Sequence, residues 1–108
     1  MKSVLYLIRR RPNKLADETT DLILVSGVFE QPTSVLFTDD GVFQLVGLEG
    51  RQSSIKALPT YGVSELHVAV DSLERRDLSL DAIDIDVRLA SAEVVRELIA
   101  GHDIVLND

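Results

Sequence analysis

The sequence predicts a three-layer α/β domain, a mostly parallel sheet of about five strands with helices on both faces. Three observations carry the prediction. Short apolar runs at 3–8, 34–38 and 66–70 are bounded by charged or turn residues, as strands buried on both faces are. Segments of helical pattern separate them, and such alternation gives parallel strands joined by crossovers. The chain of 108 residues, 45% of them hydrophobic, fits a single domain over residues 1–108 with one core.

The elements follow in order. Ser3 to Ile8 is the first strand. In ADETTDLILVSGVFEQP, Asp17 and Glu18 suit a helix N-terminus, and Leu22, Val25 and Phe29 fall at i, i+3 and i+7, the spacing of one helix face. Pro32 follows its end, while Thr19, Thr20 and Gly27 work against it. Ser34 to Thr38 is the second strand, and SSIKALPTYG, residues 53–62, predicts a short helix that Pro59 kinks or stops. Leu66 to Val70 is the third strand. In IDIDVRLA, Ile83, Ile85, Val87 and Leu89 alternate with Asp84, Asp86 and Arg88, which predicts a half-exposed strand near an edge. Ser91 then caps a helix with Glu93 at its positive end, an apolar stripe of Val94, Val95, Leu98 and Ile99, and a left-handed stop at Gly101. Asp103 to Leu106 closes the chain as a buried strand.

Charge and composition exclude several functions. A net charge of −7 opposes broad attraction to nucleic acid or to an anionic membrane. No stretch reaches the roughly 20 apolar residues of a membrane span, and MKSVLYLIRRR is too short for a signal peptide, so a cytoplasmic setting is expected. With no cysteine, there is no disulfide, thiolate nucleophile or cysteine-held metal. No cofactor is predicted, since Gly41, Gly47 and Gly50 match no phosphate-cradling loop and neither histidine has a neighbour at metal-ligand spacing.

Ligands of a parallel sheet gather at the carboxyl ends of its strands. Thr38, Asp39, Asp40, Asp71 and the arginines Arg9, Arg10 and Arg11 fall there. The Asp39–Asp40 pair could hold a magnesium ion. The preferred reading is a turn made by Asp-Asp-Gly, with one carboxylate capping the segment that starts at Val42. The basic cluster of Arg9, Arg10, Arg11 and Lys14 could grip an anion or an acidic partner, although solvated loop charge is the simpler reading, as it is for Arg75 and Arg76. His67 is expected to be packed and hydrogen-bonded within its strand, and His102 to satisfy terminal helix carbonyls. An acidic pair at this edge is similar to that of phosphate-accepting receiver domains. Their lysine at the end of the last strand is missing, however, and the pair follows the second strand here, not the first.

Three segments in order give a closer likeness. Asp40-Gly41-Val42-Phe43-Gln44-Leu45 resembles a D-G-V-[FY]-Q-L signature at the end of a second strand. Ser72-Leu73-Glu74-Arg75-Arg76-Asp77-Leu78 resembles S-L-x-x-R-G-L after a third, with Asp77 in place of the glycine, and Asp103-Ile104-Val105-Leu106 resembles a D-x-[IV]-[LI] closing strand. These belong to the DsrE/DsrF-like sulfur-relay family and, within it, to the TusC/DsrF branch. The likeness runs from about residue 34 to the end, whereas the loop Arg9 to Leu15 departs from the family's P-[YH]-G-T turn.

The resemblance implies a three-layer subunit that assembles with sister subunits, commonly as a heterohexamer of two trimers, and a relay that passes sulfur as a cysteine persulfide. Only some subunits carry the active cysteine, at a place corresponding here to about Val68 or Ala69. The expected function is therefore that of a cysteine-free accessory subunit supporting persulfide transfer by cysteine-bearing DsrE-like and DsrH-like sisters. Asp40, Gly41, Val42, Phe43, Gln44, Leu45 and Leu48 are expected to form part of the contact as a partly exposed apolar loop, because Gly47 and Gly50 interrupt any regular element there. Two alternatives stay open. One is a self-associating α/β domain that binds a small anion through Arg9, Arg10, Arg11 and the 39–41 turn; the other is a cysteine-free enzyme using Asp39, Asp40 or His67.

Overall fold

The computed structural model describes residues 1–48 and 54–108. Its strands are β1 (Val4–Ile8), β2 (Thr33–Phe37), β3 (Glu65–Ala69), β4 (Arg88–Ala90) and β5 (Ile104–Asn107); its α-helices are α1 (Lys14–Val28), α2 (Val70–Arg75) and α3 (Ala92–Gly101). The strands form one parallel sheet in the order β4-β3-β2-β1-β5, as the alternation of elements predicts. From β1 to β4 the chain always steps the same way along the sheet. Right-handed crossovers then send all three connections over one face and only the return from β4 to β5 over the other.

The core divides accordingly. On the first face Ile8, Val35, Phe37, Leu66 and Val68 are buried with Ile23 of α1 and with Val42, Leu45, Leu48, Ile55, Leu58 and Val63 from the connections. On the second, Leu5, Leu7, Leu36, Ala69 and Ala90 pack under Val94, Val95 and Leu98 of α3. Each large side chain buried this way stabilises the fold by about 1.5–3 kcal/mol. The first face therefore contributes most of the core.

Helix α1 begins where Asn13 Oδ1 accepts the Ala16 N–H at 2.7 Å, with Asp17 in the first turn. It ends in a Schellman motif, Glu30 N–H to Gly27 O and Gln31 N–H to Ser26 O, both 3.0 Å, with Glu30 left-handed at φ 58°. The helix is where the periodicity places it, but its core face is another one. Ala16, Thr20, Ile23 and Gly27 are buried, whereas Leu22, Val25 and Phe29 face outward. The reason is Gly27: a Cβ there would strike the Tyr61 carbonyl and stand 2.7 Å from Val63, so the helix uses its small residues to approach the 59–63 segment.

Further differences are local. The segment expected as one short helix is two 3₁₀ turns, Ser54–Ala57 and Pro59–Tyr61. Pro59 opens the second, because a proline at the first helical position gives up no needed N–H. Gly50 and Ser53 lie outside the described residues. Of IDIDVRLA only Arg88–Ala90 is strand, at a sheet edge as expected; Ile83, Ile85 and Val87 lean on the core, and Leu89 is half exposed. Ser91 does cap α3, accepting the Val94 N–H at 3.3 Å. Gly101, however, stays within the helix and is not left-handed; the stop comes at His102, whose Nδ1 lies 2.7 Å from the Leu98 carbonyl. The closing strand β5 is an edge, not a buried strand, with Ile104 and Leu106 partly exposed.

Candidate functional site

The carboxyl edge of the sheet collects the loops after β1 and β2 and the start of α2. At the end of β2, Thr38 leads into a 3₁₀ helix, Asp39–Leu45, and Asp39 takes a left-handed φ of 50°. The Asp39 N–H donates to Ser72 Oγ at 2.9 Å, and Ser72 Oγ also lies 3.2 Å from Thr38 Oγ1, which fixes the turn to α2. Gly41 N–H returns to Thr38 O at 2.9 Å. A Cβ on Gly41 would land on the Ile8 carbonyl, so the turn can press against β1 only with glycine.

Asp39-Asp40-Gly41 is thus a turn, but among the described residues neither carboxylate accepts a backbone N–H of the segment that follows; the partners of both are arginines. Asp40 instead receives Arg76 Nε on Oδ1 at 3.0 Å and Arg11 Nε on Oδ2 at 3.2 Å. The Arg76 hydrogen bond, with help from Arg11, holds the Asp40 carboxyl below the usual carboxylate range, so it stays ionised. Arg76 also donates through Nη1 to Ser72 O at 3.2 Å, and the Arg11 guanidinium stands 4.9 Å from the centre of the Phe43 ring, within cation–π reach. The remaining arginines have partners as well: Arg9 Nε is 3.8 Å from Asp39 Oδ2, and Arg10 Nη2 is 3.5 Å from Asp108 Oδ1.

Not all of the segment expected to be an exposed apolar loop is exposed. Val42, Leu45 and Leu48 are buried in this chain's own core, and Gln44 is buried while its Nε2 donates to the Arg10 carbonyl at 2.7 Å. What fixes them is a contact that Gly47 does not prevent: Val46 bridges Ile83, the Asp84 N–H donates to Leu45 O at 3.3 Å, and Asp84 Oδ2 accepts the Leu48 N–H at 2.9 Å. Those side chains cannot meet another molecule directly. Asp40 and Phe43 remain partly accessible, beside the exposed Arg11. Arg76, read from the sequence as solvated, is instead the best-paired cation of the edge. Its signal in the sequence is its match to the fixed arginine of S-L-x-x-R-G-L, four residues beyond Ser72.

His67 is buried, as expected, but not hydrogen-bonded: among the described residues neither ring nitrogen has a partner, and Glu65 Oε2, 3.5 Å from Nε2, is too far for a good bond. Burial pushes its pKa below the usual histidine value, and the nearby Glu65 charge offsets this only in part. His102, by contrast, is bonded through both nitrogens, to Leu98 O and to Ser34 Oγ at 2.9 Å. Among the described residues no group of three or more acidic or histidine side chains is placed to hold a metal ion.

Asp77 gives the likeness of the 72–78 segment a physical basis. Helix α2 ends in a second Schellman motif, Leu78 N–H to Leu73 O at 3.0 Å, and Asp77 sits left-handed at φ 54° where glycine is the easiest occupant.

Comparison with known proteins agrees with this geometry. The model of the DsrE/DsrF-like family matches residues 2–107. A TusC homolog of Pseudomonas aeruginosa is 31% identical over 115 residues, covering 97% of each chain. The intracellular sulfur oxidation protein DsrF of Allochromatium vinosum is 31% identical over 107 residues, covering 90% of this chain and 78% of its own. Protein TusC of Buchnera aphidicola is 28% identical over 119 residues and 99% of both chains. With the sheet, the glycine-pinned turn after β2 and the motif closing α2 all in place, the chain belongs to the DsrE/DsrF-like family, in its TusC/DsrF branch.

Proposed function

We propose that this chain is a cysteine-free subunit of a sulfur-relay complex, and that it supports persulfide transfer carried out by cysteine-bearing sister subunits. One observation carries the reading: the family's fold is kept along the whole chain, yet the chain holds no thiol. Passing sulfur as a persulfide requires a thiolate to receive it. No side chain of this protein can do so, which leaves assembly and shape as its contribution. A relay of this kind needs partners whose thiols stay reduced, which fits a cytoplasmic setting. Among the described residues no helix is long and apolar enough to cross a membrane.

The accessible part of the carboxyl edge, Asp40 and Phe43 with Arg11, is the surface we assign to a sister subunit. Aromatic and arginine side chains are enriched among interface anchors. Gly41, Val42, Gln44, Leu45 and Leu48 hold that surface in shape from below. The alternative, capture of a small anion by Arg9, Arg10 and Arg11, is less well supported, because each of these arginines already faces an aspartate of this chain.

The test is native mass measurement of the chain alone and co-expressed with DsrE-like and DsrH-like sisters, followed by sulfane-sulfur transfer from the persulfidated sister. The expected result is a mixed complex whose transfer needs this chain. Phe43→Ala should weaken its assembly roughly tenfold or more while leaving the fold intact. Sulfane sulfur accepted and delivered by this chain alone, or transfer that proceeds equally without it, would overturn the proposal.

A further inference from the structure

The amino edge of the sheet, opposite the Asp40 surface, holds a serine and a histidine in an arrangement that the fold does not require. Ser34, near the start of β2 and only 8% exposed, has its Oγ 2.9 Å from Nε2 of His102, while Nδ1 of the same ring lies 2.7 Å from the Leu98 carbonyl. A carbonyl can only accept, so Nδ1 carries the ring proton. In the neutral ring Nε2 is then an acceptor, and the Ser34 hydroxyl donates to it. Closing α3 uses Nδ1 alone. The second contact is surplus to that task, and it is the contact of a nucleophile with its base, the base being oriented by a third group.

Both side chains line a cavity of about 370 Å³, set among the ends of α1 and α3 and the starts of β2 and β3. Gln31 and Ser64 line it too, and among the described residues neither side chain has a hydrogen-bond partner. A side-chain amide and a hydroxyl are donors of the kind that stabilise a developing oxyanion. The acidic residues of the wall are Glu30 and Glu65, and among the described residues no lysine or arginine joins them, which disfavours an anionic substrate. We propose that this cavity is an acyl-transfer site, with Ser34 as nucleophile, His102 as general base and a small uncharged or cationic carboxylic ester as substrate. Ser34 Oγ attacks the carbonyl carbon, and its proton passes to Nε2 of His102 as the new C–O bond forms and the carbonyl electron pair moves onto oxygen. Collapse breaks the ester C–O bond, and the leaving alcohol takes the proton from Nε2. Water then attacks the acyl-serine in the same way, its proton passing through Nε2 to Ser34 Oγ as the acid departs. No thiol and no sister subunit takes part, so the site stands or falls separately from the sulfur-relay reading.

A fluorophosphonate tests the pair directly: an activated serine forms a P–O bond to it, the P–F bond breaks and fluoride leaves. Intact mass and peptide mapping then show where the label sits. The folded chain should take up one phosphonyl group per molecule, on Ser34, and Ser34→Ala should take up none. His102→Ala should react at least about a hundredfold more slowly, the usual contribution of a general base, and should regain part of the rate when imidazole is added. Gln31→Ala should slow the reaction by roughly tenfold or more through loss of an oxyanion donor. With p-nitrophenyl acetate, an acetyl group should appear on Ser34 during turnover. Circular dichroism and urea midpoints check the fold of each variant; if His102→Ala does not fold, the site and stoichiometry of labelling in the parent chain decide. A parent chain unlabelled at Ser34 after hours in excess reagent would overturn the proposal. So would label scattered over other serines and tyrosines, or a folded His102→Ala that reacts as fast as the parent, either of which leaves His102 as a structural tie alone.

Discussion

Two helix ends in this protein are closed by the wrong residue for their backbone, and replacing it should stabilise the fold. Glu30 after α1 and Asp77 after α2 both occupy the left-handed position of a Schellman motif, at φ 58° and 54°. An L-residue there costs about 1–2 kcal/mol. Glycine removes that strain but returns about 0.4–1 kcal/mol through the greater freedom of its unfolded chain. The net expectation is roughly 0.5–1 kcal/mol for Glu30→Gly and the same for Asp77→Gly. Neither side chain makes a hydrogen bond or ion pair among the described residues, so little else is lost. The two motifs share no partner and should add, giving about 1–2 kcal/mol for the double variant. At about 4–8 °C per kcal/mol in a domain near this size, the melting midpoint should rise by roughly 5–15 °C. Urea unfolding should show a higher midpoint at unchanged slope. Asp77→Ala is the control: alanine keeps the strain and loses the tolerance that aspartate has for this region, so it should not stabilise. A glycine variant that melts at or below the parent, or an alanine variant that gains as much, would refute the argument.

Two further outcomes are expected. Gly41→Ala forces a Cβ onto the Ile8 carbonyl, which also accepts the Thr38 N–H at 2.9 Å, so it should destabilise by about 3 kcal/mol in urea titrations. The buried His67 has a lowered pKa, so between its folded and unfolded values the unfolded chain binds the extra proton. Its stability contribution is full above about pH 6.5 and is lost as pH falls below it. Urea midpoints at pH 7.5 and 5.5 should differ less in His67→Leu than in the parent, and His67→Leu should cost little at pH 7.5, because among the described residues neither ring nitrogen has a hydrogen-bond partner to lose.

The sheet was legible because parallel strands buried on both faces write continuous apolar runs, and Ser34 to Thr38 or Leu66 to Val70 can be read as nothing else of that length. Helix α1 was legible in extent but not in orientation. Leu22, Val25 and Phe29 have the larger hydrophobic signal, while the true core face is set by the small residues Ala16, Thr20 and Gly27, whose value lies in how closely they let backbones approach. Periodicity registers hydrophobicity and is blind to that. The same blindness hid the role of Asp84, which reads as a solvent-facing charge but accepts the Leu48 N–H and thereby buries Leu45 and Leu48. The turn at Asp39-Asp40-Gly41 was legible as a turn, but the pairing of Asp40 with Arg76 joins residues 36 positions apart, and no local pattern announces it.

That pairing bears on what the carboxyl edge is for. Arg9, Arg10, Arg11 and Arg76 are matched there by Asp39, Asp40 and Asp108, so four cations meet three carboxylates at the place where a parallel sheet usually presents its reactive groups. Exposed ion pairs stabilise a fold only slightly, so stability is a weak reason for such a cluster. Its clearer physical effect is to hold charges and loops in place. Asp40, kept ionised by two guanidiniums, is a poor proton acceptor, and each of these arginines already faces a carboxylate of this chain, so a small anion would have to compete with an internal partner. In the function proposed above, an edge fixed in this way, with an aromatic ring under one guanidinium, offers a preset shape to a sister subunit. By that proposal, a chain without a thiol serves sulfur chemistry through shape alone.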